Sequence, residues 1–314
     1  MPSTLPVLSN EAIAALAIPP SRLRQALAEA FRLHAAGEPQ VNPKQMLPIE
    51  PGHFFQSLSA ASATMGFAAH KWVGVVAANG GRGLPTVNSL VTLSDFATGV
   101  PAAILGGNAV TVLRTAAMSG LAASHLARPD SRTIGFVGCG QQAHGHLDAL
   151  ADVLPGLSEA VCISANGRSA ETLADTARSR GLQARAVRDP NDALACDVVV
   201  TSVQAGPGAA PFLDATRLRP GTFVAAVDLG APWHPETLRV FDIAATDDRA
   251  QAETPSTRAR LAFQDPFGVD LADLCAGRHP GRTAPEQRAL FLFPGFALAD
   301  LAVAAAIWRA ARQA

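Results

Sequence analysis

The chain has 314 residues, of which 48% are hydrophobic and 16% are charged, and its formal net charge is −1. This composition supplies a sizeable apolar core, and the length allows two domains or one domain with a large insertion. The near-neutral charge without a Lys/Arg cluster argues against a nucleic-acid partner. The lack of an apolar run of ~18 residues or of a basic leader predicts a cytoplasmic protein without a membrane partner.

The N-terminal third predicts helices followed by a sheet. Ser9 and Ser21 each precede an apolar-periodic stretch, the second of which ends at Gly37, so both serines are candidate helix N-caps. Between residues 43 and 101, short apolar runs are separated by Gly, Pro and Asn, which indicates strands of a mostly antiparallel sheet. Residues 109–127 predict one long Ala-rich helix that packs closely on another element and bridges two domains.

From there on, strand-like and helix-like stretches alternate. This alternation predicts βαβ units and a parallel sheet. The last residues, 294–314, are again Ala-rich and predict a helix that packs back on the first domain. The predicted strands of the parallel sheet are in residues 134–140, which also include a turn, and at 160–164, 197–203 and 222–230.

Cysteine and histidine spacing gives no metal-ligand pattern. The four cysteines form no C-x-x-C pair, which favours buried free thiols over disulfides or metal ligands. His144 and His146 are the only close histidine pair, and we expect no metal site there. The cysteines are Cys139, Cys162, Cys196 and Cys275.

Lysine is scarce in a chain that is rich in arginine. Only Lys44 and Lys71 are lysine among the 25 basic residues. A compact ammonium that can lose its proton does what a guanidinium cannot, so both lysines are candidate functional residues. Chance retention is the alternative, and it carries more weight for Lys44.

Residues 138–143 form a G-x-G-x-x-A element directly after a predicted strand and at the head of a predicted helix. The first glycine permits a tight turn, the second lets backbone N–H groups approach a pyrophosphate, and the alanine lets the helix lie close to the strand. A purely structural turn is the alternative. The predicted dinucleotide-binding residues here are Gly138, Gly140, Gln141, Gln142 and Ala143.

The end of the second predicted strand bears on which dinucleotide binds. NAD-specific sites usually place a carboxylate there to hold the ribose hydroxyls, but this segment offers Asn166, Arg168 and Ser169 instead. A guanidinium and a hydroxyl suit a 2′-phosphate, so NADP(H) is favoured over NAD(H). An ordinary solvated loop arginine is the alternative.

Several motifs between Lys71 and residue 117 carry a family resemblance. They are Lys71 itself, Asn79, the Gly-Leu-Pro at 83–85, the Thr-Gly-Val-Pro at 98–101 and the Arg-Thr-Ala-Ala at 114–117. With the glycine element at 138–143 and weaker matches at 43–44 and 295–300, they cover most of the chain. In this combination the chain resembles the ornithine cyclodeaminase/mu-crystallin family.

The resemblance implies an α/β protein in which a Rossmann dinucleotide-binding domain is inserted into a mixed α+β open-barrel domain for substrate binding and dimerisation. We expect the substrate domain at residues 1–118 plus 290–314 and the NAD(P)-binding domain at residues 119–289. It also implies a homodimer and a small amino-acid or imino-acid substrate.

Site residues follow from matching positions. Arg114 is expected to clamp the substrate carboxylate, Lys71 to act beside the reacting centre and bind substrate, and Lys44 to contribute a substrate-binding cation where the family usually has arginine. Thr115, Thr201 and Val203 are further predicted cofactor contacts. The structural alternatives are a helix-capping role for Arg114 and a surface strand position for Lys71.

Two departures from the family bear on the reaction. Gly230 stands where cyclodeaminases carry an essential aspartate, and Gly106 stands where many members have aspartate. Asp228 is the nearest carboxylate and a candidate catalytic residue, displaced by two positions in a segment expected to be extended. Without a clearly placed base, cyclodeamination is disfavoured. The predicted function is NAD(P)H-dependent reduction of a cyclic or linear ketimine.

Four alternatives stay open at this point. They are an ornithine cyclodeaminase-like lyase with tightly bound NAD+, an amino-acid dehydrogenase, an enzyme that oxidatively splits an amino-acid conjugate, and an NADP-dependent binding or structural protein.

Overall fold

The computed structural model describes residues 4–204 and 209–314. The chain divides into two compact units, Met1–Arg114 with Gly295–Ala314 as the first and Thr115–Pro294 as the second. The boundaries expected from sequence were after residues 118 and 289. None of the helices in the described ranges is both long and apolar enough to cross a membrane.

In the described residues, the first unit contains three complete α-helices and the beginning of a fourth, whose later turns belong to the second unit. The helices are α1 (Asn10–Ala15), α2 (Pro20–Ala35), α3 (Gly107–Leu126) and α10 (Ala297–Ala311). The strands are β1 (Val7–Leu8), β2 (Gln40–Val41), β3 (Gln45–Glu50), β4 (His53–Ser62), β5 (Phe67–Val76), β6 (Val87–Asp95) and β7 (Pro101–Gly106).

The strands of the first unit form one mixed sheet in the order β1-β7-β6-β5-β4-β2, and β3 pairs with β4. Only β1 and β7 pair in parallel, which confirms the mostly antiparallel sheet predicted between residues 43 and 101. Side chains of β5 alternate across the sheet, so Ala69, Lys71 and Val73 are buried while Trp72 is exposed. Helix α10 packs on β4, β5 and β6, as predicted for the C-terminal helix.

The two predicted N-caps have different outcomes. Ser9 caps α1, and its hydroxyl oxygen accepts a hydrogen bond from the Ala12 N–H at 3.2 Å. The prediction for Ser21 is wrong, because α2 starts at Pro20 and its N-cap is Pro19, two residues before Ser21. Proline is favoured in the first turn of a helix, where its missing N–H costs no hydrogen bond.

The second unit is a doubly wound α/β domain. Its helices are α4 (Gln141–Val153), α5 (Arg168–Ser179), α6 (Pro190–Leu194), α7 (Arg249–Ala252), α8 (Pro255–Arg258) and α9 (Leu271–Cys275). Its strands are β8 (Thr133–Val137), β9 (Glu159–Ile163), β10 (Gln183–Ala186), β11 (Val198–Thr201), β12 (Phe223–Ala226), β13 (Ile243–Thr246), β14 (Val269–Asp270) and β15 (Ala289–Leu292).

All strand pairs of the second sheet are parallel, in the order β10-β9-β8-β11-β12-β15-β13-β14. Its first five strands have the Rossmann arrangement, in which the winding direction reverses between β8 and β11. Strands β11, β12 and β15 are buried along their whole length, which explains their continuous apolar sequences. The predicted Rossmann-type α/β fold is therefore confirmed.

The extended segment predicted at residues 222–230 is wrong at its C-terminal end. Strand β12 stops at Ala226, and the chain then turns, with Leu229 at φ 61° and Gly230 at φ 78°. Apolar content alone does not mark where this strand ends, since Leu229 is apolar yet adopts a left-handed backbone conformation. Asp228 consequently lies in a turn and not on a strand face.

None of the four cysteines forms a disulfide. Cys139, Cys162 and Cys196 are buried, as predicted, and Cys275 is half-buried.

Candidate active site

The first candidate group lies under helix α10 and centres on Lys71. This residue is in the middle of β5, where it pairs with Leu58 of β4 and Val91 of β6. All three point to the face that α10 covers, and Lys71 is only 2% exposed. The strand geometry thus places an ammonium group in an apolar layer, where a charge requires a partner.

Asp300 is that partner. The Nζ of Lys71 donates a hydrogen bond of 2.7 Å to Oδ1 of Asp300, which lies in the first turn of α10 and is 2% exposed. The Nε of Arg114, from α3, forms an ion pair of 3.3 Å with the same oxygen. Two buried cations therefore share one carboxylate oxygen, while Oδ2 of Asp300 is buried without a hydrogen-bond partner among the described residues.

This environment changes the proton affinity of Lys71. Burial, which disfavours the charged form, and the nearby Arg114 guanidinium lower the pKa of Lys71 from 10.5 to about 8, against the opposing effect of Asp300. A lysine with such a pKa exchanges its proton near neutral pH, as an acid or base in catalysis must.

The sequence prediction placed Lys71 and Arg114 at the site but gave Asp300 no role. Its only signal was an acidic residue within an otherwise Ala/Leu-rich helix, in a weak family match at 295–300. The structure brings the three side chains together although Asp300 is 229 positions from Lys71.

Lys44 directly precedes strand β3. The next residue, Gln45, pairs with Ser57 of β4, and the following β4 residue, Leu58, pairs with Lys71. Continuing this register by one position places Lys44 in the same row of the sheet as Lys71. Their Cα atoms are then roughly 10 Å apart, two strand spacings.

The second candidate group is the glycine turn between β8 and α4. Gly138 has φ +89°, and a Cβ there would lie 2.6 Å from the backbone oxygen of Ser202, so only glycine fits. A Cβ on Gly140 would meet nothing within 4 Å. Helix α4 has no side-chain N-cap, and Ala143 at its first turn is fully buried.

These features fit a dinucleotide. The uncapped N-terminus of α4 presents backbone N–H groups to an anion beside the open space at Gly140. Gln141 is exposed and Gln142 half-buried at this helix start, and Oε1 of Gln142 is buried without a hydrogen-bond partner in the described chain. In α3, Oγ1 of Thr115 is likewise buried without a recorded partner in residues 4–204 and 209–314.

The carboxyl ends of β11 and β12 meet through Asp228. Its Oδ1 accepts hydrogen bonds from the Thr201 hydroxyl at 2.9 Å and the Gly230 N–H at 3.2 Å, and its Oδ2 accepts one from the Val203 N–H at 2.9 Å. Burial raises the pKa of Asp228 to about 6, although these hydrogen bonds oppose the shift. Asp228 thus holds the predicted cofactor residues Thr201 and Val203 at the carboxyl end of β11, one of the two strands between which the sheet winding reverses.

The predicted 2′-phosphate residues lie where β9 leads into α5. Asn166 is exposed in the turn, and Gly167 has φ +73°. Arg168 and Ser169 belong to the first turn of α5, which corrects the loop position suggested for Arg168. A helix start favours anions, so the correction keeps the arginine in a suitable place for phosphate.

The chain is similar to known proteins along nearly its whole length. The sequence profile of the ornithine cyclodeaminase/mu-crystallin family matches residues 7–314. An alanine dehydrogenase of Archaeoglobus fulgidus is 33% identical over 312 residues, covering 96% of this chain and 94% of the relative. A Delta(1)-pyrroline-2-carboxylate reductase of Bacillus cereus is 29% identical over 256 residues, covering 77% of each chain.

A solved structure extends the likeness to three dimensions. An archaeal alanine dehydrogenase dimer with bound NAD superposes with a TM-score of 0.87 at 30% identity. The match covers 98% of this chain and 96% of that protein.

Proposed function

The chain belongs to the ornithine cyclodeaminase/mu-crystallin family, and we propose that it transfers hydride between a nicotinamide cofactor and the Cα–N bond of a small α-amino or α-imino acid. The observation that carries this proposal is the pair of buried cations, Lys71 and Arg114, that share the single carboxylate of Asp300. With Lys71 protonated, the group has a net charge of +1. A buried excess charge is costly unless a ligand compensates it, and a substrate carboxylate does so.

Arg114 and Lys71 act on different groups of the substrate. A guanidinium offers paired N–H donors that match a carboxylate, so Arg114 holds and orients that group. Lys71 handles the proton at the reacting nitrogen. In the reductive direction it donates a proton to the imine nitrogen as hydride joins Cα, and in the oxidative direction it accepts the proton from the amine. Lys44 adds a second cation in the same sheet row.

The cofactor is held by the second group. Gly138, Gly140, Gln141, Gln142 and Ala143 hold the pyrophosphate. When bound, the nicotinamide supplies or accepts the hydride, and the protein supplies position and charge. Residues 119–289 form the cofactor-binding domain in this proposal. The contributing side chains beyond the glycine turn are Thr115, Asn166, Arg168, Ser169, Thr201 and Val203.

Arg168 supports NADP(H) over NAD(H) in this proposal. It is exposed at the start of α5, and no carboxylate lies in residues 164–169, where one would bind the ribose hydroxyls of NAD.

Cyclic ketimines such as Delta(1)-pyrroline-2-carboxylate and Delta(1)-piperideine-2-carboxylate are the proposed substrates. Glycine at position 230 and the use of Asp228 to tie Thr201 and Val203 support reduction over cyclodeamination, which needs a base free to act. An amino-acid dehydrogenase is the second candidate, because the alanine dehydrogenase relative matches nearly the whole chain. Both reactions share the reduction of a Cα=N bond.

A homodimer is also part of the proposal, with residues 1–118 and 290–314 as the substrate and dimerisation domain. All six residues of β3 are exposed, and they include Met46, Leu47 and Ile49. The cross-strand pair of Trp72 and Leu90 is exposed as well. Such a concentration of exposed apolar side chains is typical of an assembly surface.

The test is a cofactor-oxidation assay of purified protein with NADPH and NADH. The substrates are the two cyclic ketimines and pyruvate with ammonium, and ornithine with NAD+ is assayed for ammonia release.

We expect NADPH oxidation with at least one ketimine, and Arg114→Gln should lower kcat/KM by about 100-fold because the carboxylate loses its bidentate partner. Arg312→Gln, at the exposed C-terminus of α10, is the matched control. Turnover only with pyruvate and ammonium would replace the ketimine assignment, and no turnover in any assay would overturn the enzyme proposal.

A further inference from the structure

We propose that Asp300 is the positioning residue of this site: it holds the Lys71 ammonium beside the Arg114 guanidinium and supplies the negative charge that lets Lys71 keep its proton. The inference rests on the proposed function for the meaning of that proton, but its central test requires no substrate.

The geometry gives Asp300 this role. Its Oδ1 lies 2.7 Å from Nζ of Lys71 and 3.3 Å from Nε of Arg114, so one atom fixes both cations. The carboxylate is placed by the first turn of α10, where the helix dipole favours a negative charge. Both Lys71 and Asp300 are 2% exposed, so little solvent is present to replace the contact.

The charges around Lys71 make the carboxylate necessary. The neighbouring strands present Leu58 and Val91 to the same face, and both side chains are buried. Helix α10 presents Asp300, and α3 presents Arg114. Without Asp300, Lys71 would face a like charge within an apolar layer, and both conditions expel its proton.

Asp300→Asn removes the charge with little change in shape, because Oδ2 of Asp300 has no hydrogen-bond partner among the described residues. An asparagine keeps one oxygen to accept the Lys71 hydrogen bond, and its amide nitrogen takes the place of Oδ2, which receives no hydrogen bond from the described residues. The shape and the Lys71 contact are kept while the charge is removed. The substitution therefore reports on the charge.

The two-lysine composition permits a direct measurement. Protein labelled with 13C at lysine Cε gives two NMR resonances, from Lys44 and Lys71, and Lys44→Arg assigns them. We expect the Lys71 resonance of the wild type to titrate well below the 10.5 of an ordinary lysine. In Asp300→Asn the midpoint should fall by about one unit or more, a tenfold change in the proton dissociation constant.

The control and the opposing outcome are equally direct. Asp95→Asn removes an exposed carboxylate of the same unit that accepts hydrogen bonds from Thr98, and it should leave the Lys71 midpoint unchanged. An Asp300→Asn protein that is folded by circular dichroism and has the wild-type Lys71 midpoint would overturn the proposal.

Should Asp300→Asn fail to fold, Asp300→Glu serves, because it keeps the charge but displaces it. If the Lys71 midpoint in Asp300→Glu lies within about 0.3 units of wild type and a carboxylate substrate binds more weakly, the result supports positioning by charge. If the midpoint falls as far as expected for Asp300→Asn, the result contradicts it.

An activity measurement adds a second, separable readout. At alkaline pH, kcat/KM for imine reduction should fall because neutral Lys71 has no proton to donate. In Asp300→Asn this fall should begin at a lower pH than in the wild type. A purely structural role would lower kcat/KM equally at all pH values, which would count against the proposal. If no substrate turns over in the wild type, the proposed function fails while the lysine titration still decides the role of Asp300.

Discussion

The Arg114 guanidinium lies directly against the backbone of Gly295. A Cβ atom on residue 295 would lie 2.8 Å from Nη1 and 3.0 Å from Nη2 of Arg114, and the glycine has φ +88°. The turn that leads into α10 is thus shaped both by a left-handed backbone and by the close approach of a cation. Two separate physical demands select glycine at this position.

Gly295→Ala should therefore displace the guanidinium as well as strain the turn. We expect a loss of about 1–2 kcal/mol in the free energy of unfolding from the left-handed conformation, and a rise of about tenfold or more in KM for the carboxylate substrate. Urea unfolding and steady-state kinetics measure the two effects. Gly37→Ala is the matched control, because Gly37 has φ +78° but its Cβ would meet nothing within 4 Å. Equal KM values for the two variants would contradict the expected role of the close approach.

Arg168 is the residue on which the cofactor preference depends. Arg168→Gln should raise KM for NADPH by about tenfold or more, because a charge-assisted hydrogen bond to the 2′-phosphate is lost. KM for NADH should not change. The effect should shrink at high salt, since Arg168 is exposed and its charge is screened. Measuring KM for NADPH and KM for NADH in parallel checks this. An equal rise in both KM values would show that Arg168 does not contact the 2′-phosphate.

The sequence sufficed for the elements that local patterns determine. Alternation of strands and helices predicted βαβ units and a parallel sheet, and the G-x-G-x-x-A element predicted the turn in which Gly138 has a positive φ and no room for a side chain. These features are encoded by neighbouring residues. The end of β12 is not, because Leu229 is an apolar residue whose left-handed backbone is fixed by the turn around Asp228.

The long-range part of the site could be predicted only by resemblance. Nothing in the local sequence shows that Asp300 reaches Lys71, since the contact depends on α10 covering the middle of β5. Asp228 presents the same difficulty. A carboxylate near the expected position suggested a catalytic residue, but its hydrogen bonds to Thr201 and Val203 depend on the adjacent strand. Sequence identifies the residue types, and tertiary packing decides their partners.

Asp228 provides a test of positioning against catalysis. In Asp228→Asn, the amide nitrogen must face the Val203 N–H or the Gly230 N–H, so a hydrogen bond is lost at a half-buried site. We expect the free energy of unfolding to fall by about 1–3 kcal/mol and KM for the cofactor to rise several-fold, while the shape of the pH–rate profile is kept. Loss of one side of that profile with a much larger fall in kcat would instead identify Asp228 as a general base.

Asp197 supplies the matched control for this substitution. Its Oδ2 accepts hydrogen bonds from the N–H groups of Arg132 and Thr133, at the amino end of β11 beside the start of β8. Asp197→Asn should cost a similar free energy of unfolding. It should leave KM for the cofactor unchanged, because it lies away from the carboxyl edge of the sheet.

His146 makes stability depend on pH. Its Nδ1 lies 2.7 Å from the Gln142 carbonyl oxygen and its Nε2 lies 2.9 Å from the Ser119 hydroxyl. Because a carbonyl only accepts, Nδ1 carries a proton, and in the neutral ring Nε2 accepts a hydrogen bond from the Ser119 hydroxyl. Burial lowers the pKa of His146 from 6.5 to about 4. Between these values the unfolded chain binds a proton that the folded chain does not, so stability falls as the pH drops from 6.5 towards 4.

The expected loss attributable to His146 is about 2 kcal/mol between pH 7 and pH 5. The unfolding free energy of His146→Gln should be lower than that of wild type at pH 7. It should fall less on acidification, because glutamine keeps a neutral donor and acceptor at every pH. Urea unfolding of both proteins at pH 7 and pH 5 measures the difference. His53→Gln, in the first unit, should retain the wild-type pH dependence. A His146→Gln protein that loses as much stability as wild type between the two pH values would show that another group controls the acid sensitivity.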